Sequence, residues 1–130
     1  MPIGRLEDFK VAFDRAALEQ LDGVVVLSSP VILEQRSLIS EWATKARLPT
    51  ISLFTRFPGS GGLMAYGPSL PDMYKRAANY VDRILRGNKI VEMPIERPTR
   101  FELIINLKTA QAIGLKMPAL LLSRADEVIE

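Results

Sequence analysis

Gly23-Val-Val-Val-Leu-Ser-Ser-Pro30 and Thr50-Ile-Ser-Leu-Phe54 bracket the segment whose reading decides the fold. The first opens on an unbroken β-branched run, the pattern of a strand buried on both faces of a parallel sheet. Ser29 is a good N-cap residue and Pro30 suits a first helical position, so the strand should feed a helix. That helix is expected to run to about Arg47, with Leu38, Ile39, Trp42 and Ala46 on its buried stripe. Pro49 then announces the second strand. Strand, helix and strand within about 30 residues make a βαβ unit.

Upstream, Leu6, Phe9, Phe13, Ala17 and Leu21 recur at helical spacing, with Glu7, Asp8, Lys10, Asp14 and Arg15 mostly opposite. This predicts an amphipathic helix ending near Asp22-Gly23. Downstream, Thr55 to Gly62 reads as a loop and Leu63-Met-Ala-Tyr66 as a short strand. Ser69 should cap a long helix, with Pro71 in its first turn and Asp72 at the capping-box position. Its expected buried face is Leu70, Met73, Tyr74, Ala77, Val81, Ile84 and Leu85, and Gly87 is placed to end it. Asn88 to Pro98 reads as an extended crossover. Arg100 to Asn106 reads as a strand, and Asn106 as the cap of a helix over Leu107 to Ile113 that stops at Gly114. An apolar turn over Ala119 to Ser123 and an edge strand over Asp126 to Glu130 complete the chain. The expected fold is a single three-layer α/β/α domain with a mostly parallel sheet.

Composition narrows the function. Of 130 residues, 48% are hydrophobic, enough for one core. The net charge is only +2, with Lys and Arg scattered, so a nucleic-acid partner is not expected. With no cysteine and no histidine, thiolate chemistry, the usual general base and the commonest metal ligands are missing. Neither a catalytic residue nor a metal or cofactor is expected. No basic-then-apolar leader opens the sequence and no apolar run nears the ~20 residues of a membrane span, so the chain as written reads as cytoplasmic.

Several residues invite a functional reading beside a plain one. Gly59-Ser-Gly-Gly62 suggests a phosphate cradle, but no Gly-Lys-Ser/Thr follows, and Met64 stands where a dinucleotide fingerprint needs glycine. The plainer reading is a connector. Ser28 and Ser29 follow a parallel strand at a helix start, where ligands of open α/β sheets bind; helix capping explains Ser29 equally well. Arg56 and Phe57 follow the next strand, placed to hold a carboxylate and to stack on a planar group. Solvation of Arg56 and packing of Phe57 are the alternatives. Tyr66 and Gly67 end the third strand, where Tyr66 either lines a cleft or fills the core. Glu92, Glu96 and Glu102 form a carboxylate cluster in sequence that most simply faces water.

Tyr66-Gly67, the helix Met73 to Gly87, and above all Met93-Pro-Ile-Glu-Arg-Pro-Thr-Arg-Phe-Glu-Leu-Ile-Ile-Asn106 and Ser123-Arg-Ala-Asp-Glu-Val-Ile-Glu130 resemble ABC-transporter substrate-binding proteins. The likeness is to a tryptophan/tyrosine-type subfamily, and to its C-terminal half. It implies a type I periplasmic-binding-protein-like fold whose two lobes close on a small solute such as an amino acid. Carried over by position, the C-terminal lobe's cleft edge is Ser28, Ser29 and Pro30, then Arg56 and Phe57, then Tyr66 and Gly67. Many members have aspartate in the first of these loops, where this chain has Ser28-Ser29. The family layout assigns residues 1–62 and 94–130 to the C-terminal lobe. It sends the segment 63–93, with its helix, across to the other lobe. Members of the family are periplasmic or lipid-anchored, and a membrane permease is a partner only within a full transporter. A helix without the lobe it covers should associate, so a homodimer through Ser69 to Arg86 is expected.

Overall fold

The computed structural model describes residues 6–27 and 29–130. Helix α1 (Leu6–Leu18) leads into strand β1 (Val24–Val26), α2 (Pro30–Glu34), α3 (Arg36–Lys45) and β2 (Thr50–Ser52). A 3-10 turn (Pro58–Ser60) precedes β3 (Met64–Pro68) and the long helix α4 (Leu70–Leu85). A second 3-10 turn (Ile90–Glu92), β4 (Phe101–Asn106), α5 (Leu107–Ile113), α6 (Ala119–Leu122) and β5 (Glu127–Ile129) follow. The five strands form one sheet in chain order. β1, β2 and β3 run parallel, β4 turns antiparallel to β3, and β5 is parallel to β4.

Register separates the two faces. Val26 and Ser52 share a row, as do Ser52, Ala65 and Ile104 across β2 to β4. On that face Val26 joins Phe9, Phe13, Ile32, Ile39 and Phe57 beneath α1, α2 and α3. The alternate row runs through Val25, Ile51, Met64 and Ile105. There Ile105 packs with Leu63, Ala110, Ile113 and Met117, and with Leu121 and Leu122 of α6. Helices on both faces of the sheet give the three expected layers.

The second face is covered unevenly. Val25 and Leu53, which lie toward its β1 edge, are exposed. The valine run therefore does not mark a strand buried on both sides. Among the described residues β1 pairs with β2 alone, and it has one face in the core and Val25 in water. Local expectations differ in other places. The helix after β1 breaks at Gln35 (φ −96°, ψ 13°) into α2 and α3. Ser69 gives α4 no side-chain cap bond; it is buried, and its N–H donates to the Arg100 carbonyl at 3.0 Å. Asp72 likewise turns to Arg76 at 3.4 Å, away from the helix start.

Other signals hold. Asn106 Oδ1 accepts from the Thr109 N–H at 3.0 Å, capping α5, and Gly114 ends that helix at φ 76°. Gly87 at φ 93° follows α4, where its N–H reaches the Ile84 carbonyl. On α1 the Arg15 guanidinium donates to Glu19 at 2.6 Å, and this bond holds its pKa above the ordinary value. The largest correction concerns α4. None of its residues is buried, although its apolar and polar residues segregate as in a core helix. Leu70 and Tyr80 are half-buried, whereas Met73, Tyr74, Val81, Ile84 and Leu85 are exposed.

Candidate functional site

The C-terminal ends of β1, β2 and β3 meet at one edge of the sheet; Ser29 and Pro30 follow β1 there, Arg56 and Phe57 follow β2, and Tyr66 and Gly67 lie within β3. Ser29 Oγ accepts from the Ile32 N–H at 3.2 Å and Pro30 occupies the first turn of α2. This is a capping role. With only five residues, α2 has too little dipole for an anion site. Ser28 lies outside the described residues.

After β2 the chain tightens at once. Ser52 Oγ donates to the Val26 carbonyl and accepts from the Phe54 N–H, both at 3.2 Å, tying the ends of β1 and β2 together. Arg56 then projects outward while Phe57 turns in and is fully buried. A Cβ on Gly62 would stand 2.2 Å from the Phe57 ring, so backbone closes one side of that ring. Phe57 is therefore a core residue with no face left to stack on a ligand, which corrects the expectation from sequence. Gly67 is corrected in the same sense. It is buried where β3 passes Leu53, and a Cβ there would lie 1.9 Å from the Leu53 carbonyl oxygen. Only a glycine permits that approach.

Tyr66 is exposed and stacks on Phe101, ring centroids 5.8 Å apart. In register, Tyr66 opposes Leu103 and Gly67 opposes Glu102, so Tyr66 and Glu102 point to opposite faces. Arg56 belongs with Glu102. Together with Arg36, Ser60, Thr55 and Glu127 they line an open groove of about 450 Å³ floored by Ile104 and Ile129. The sheet thus divides the candidates between Arg56 in this groove and Tyr66 on the far face. Ser29 borders a third, apolar depression of about 600 Å³ between α1 and β1.

The groove of Arg56 carries both signs of charge. Arg36 is anchored, its Nε donating to Ser60 Oγ at 2.9 Å and its Nη1 to the Leu33 carbonyl at 2.6 Å. Ser60 Oγ also donates to the Arg56 carbonyl at 3.4 Å. Glu102 lies 3.4 Å from Arg100 Nε and is mostly buried by its neighbours. Guanidinium groups beside carboxylates suit a small solute that itself carries an anion and a cation. Arg36 and Glu127 were missed as site residues in sequence, whereas Glu102 was singled out there only as one of three carboxylates that most simply face water. The three carboxylates singled out by sequence do not gather. Glu96 pairs with Arg76 at 2.8 Å beside α4, Glu92 lies 3.7 Å from Lys89, and Glu102 is on the sheet.

The family model described as ABC transporter substrate binding protein matches residues 1–129. Among solved structures the chain is similar to a conserved domain protein from Vibrio cholerae, with TM-score 0.84 and 22% identity over 94% of this chain and 41% of that one. It is similar to an ABC domain in complex with L-Trp from Streptococcus pneumonia, with TM-score 0.86 and 19% identity over 99% and 43%. A ligand-free, open substrate-binding protein with adhesive properties from Clostridium difficile follows at TM-score 0.69 and 17% identity, over 98% and 42%. The chain thus spans less than half the length of these structures, and at such identities the likeness is one of fold. No curated protein matches the chain. The match along nearly all of the sequence, with the mixed α/β sheet that those structures share, places this chain in the ABC transporter substrate-binding protein family.

Proposed function

We infer that the chain is a non-enzymatic solute-binding module that takes a small organic solute carrying both charges, such as an amino acid. The observation that carries this reading is the groove after β2, where Arg56 and Arg36 lie with Glu102 and Glu127. An α-carboxylate would bond to Arg56 and an ammonium group to Glu102. The volume of about 450 Å³ suits a molecule of that size. The L-Trp held by the Streptococcus pneumonia structure supports the solute class. Tyr66 with Phe101 offers an aromatic surface on the other side of the sheet. A permease enters only where the module works within a full transporter. A thermal-shift screen against amino acids and small aromatic acids tests the reading. A rise in melting temperature with an amino acid is expected, and no rise with any compound at millimolar concentration would refute it.

A second reading, a homo-oligomeric interaction module, is favoured by one observation: α4 contributes no buried residue and exposes most of its apolar face. Such a face is rare on a free monomer.

A further inference from the structure

The groove of Arg56 has its charges sorted onto opposite walls. Arg36 and Arg56 lie on one side, where α3 begins and the turn after β2 passes it; Glu102 and Glu127 lie on the other, on β4 and β5. Both arginines converge on one hydroxyl. Arg36 Nε donates to Ser60 Oγ at 2.9 Å, and Ser60 Oγ donates to the Arg56 carbonyl at 3.4 Å, so the two residues share a corner of the groove. Arg36 is fixed a second time by its Nη1 bond to the Leu33 carbonyl. These bonds use two of the five N–H donors of a guanidinium and hold its plane before any solute arrives. Their acceptors are a hydroxyl and a carbonyl, and neither neutralises the charge. The opposite wall is ordered by register. Glu127 pairs with Ile104, and Glu102 stands two residues before Ile104 on the same face. The walls do not cancel, because Glu102 is already met by Arg100 Nε at 3.4 Å.

We propose that Arg36 selects a solute with a second carboxylate, so that the groove takes an acidic amino acid. Its α-carboxylate lies on Arg56, its ammonium on the wall of Glu102 and Glu127, and its side-chain carboxylate on Arg36. The proposal rests on the groove being the solute site and names the solute class. A neutral amino acid brings one anion and one cation. It would cover the Arg36 guanidinium without replacing the water that solvates it, and covering a charge unpaired is costly. A second carboxylate meets the N–H donors that Ser60 and Leu33 leave unused, and it matches the excess of positive charge in the groove. The volume of about 450 Å³ suits a molecule of that size.

L-Glutamate and L-glutamine make the test pair, since they differ in the charge of one group at nearly equal volume; L-aspartate and L-asparagine extend it. In calorimetric titration of the unaltered chain, each acid should bind about tenfold to a hundredfold more tightly than its amide, the effect of one charge-assisted hydrogen bond. Arg36→Gln should bring acid and amide within about threefold of each other. Arg36→Lys keeps the charge without the planar fork and should retain part of the preference. Equal affinity for acid and amide in the unaltered chain, or binding of neutral amino acids alone, overturns the inference while the amino-acid reading stands, and that comparison needs no variant. A preference for the acid that persists undiminished in Arg36→Gln overturns the role of Arg36. Binding of no amino acid at all overturns both the inference and the reading beneath it.

Discussion

Gly67→Ala probes the contact that shapes the top of the sheet. A Cβ at Gly67 would stand 1.9 Å from the Leu53 oxygen, 2.8 Å from its carbonyl carbon and 3.3 Å from its Cα. All three are backbone atoms, so no rotamer change relieves them, and β3 or the turn after β2 must shift. Overpacking of this kind costs about 1–3 kcal/mol, and a backbone clash belongs at the upper end. Against a total stability of about 5–15 kcal/mol that is a large fraction. For a chain of this size it lowers the melting temperature by about 8–12 °C. Gly59→Ala is the matched control. Nothing lies within 4 Å of its Cβ position, and its φ is outside the left-handed region, so a change within about 1 kcal/mol is expected. Urea unfolding followed by circular dichroism gives both midpoints, with a slope of about 1–3 kcal/mol/M. If Gly67→Ala and Gly59→Ala unfold at the same midpoint, the close approach at Leu53 does not exist and the placing of β3 is wrong.

Three further variants separate structural from binding roles. Phe57→Ala should cost about 3–5 kcal/mol in unfolding free energy, because the ring is fully buried in the α1–α3 core; a ligand-stacking ring would have cost little. Asn106→Ala removes the cap of α5 and the bond from Nδ2 to the Pro58 carbonyl at 2.8 Å. A loss of about 1–3 kcal/mol is expected by the same unfolding assay. Ser29→Ala should cost about 1 kcal/mol through the lost cap of α2, with solute affinity unchanged in a thermal-shift titration.

The sheet and most helices were legible because their signals are local. Asn106 and Gly114 bound α5 through a cap bond and a positive φ, both functions of single residues. What stayed hidden depended on neighbours distant in sequence. A run of three valines fits a strand covered on both faces and one covered on a single face alike, and only the uneven cover of the second face, where Leu53 is exposed too, leaves Val25 in water. Phe57 and Arg56 are adjacent in a turn, and which one turns inward depends on Gly62, five residues on from Phe57, leaving room for the ring. The amphipathic pattern of α4 correctly announced a helix with one apolar face. It carried no information on what that face meets. The place of Arg56 just after a parallel strand was legible in sequence. That of Arg36 was not, because its neighbour in the groove is Ser60, 24 residues on, which its Nε meets at 2.9 Å.

Calorimetric titration of the best amino-acid hit into the chain and into Arg56→Ala tests the proposal that the groove of Arg56 and Glu102 binds a small amphoteric solute. One site per chain is expected, weakened about tenfold to a hundredfold in Arg56→Ala by loss of a charge-assisted hydrogen bond of about 1.5–3 kcal/mol. Unchanged affinity in Arg56→Ala, with the same heat and stoichiometry, would contradict it.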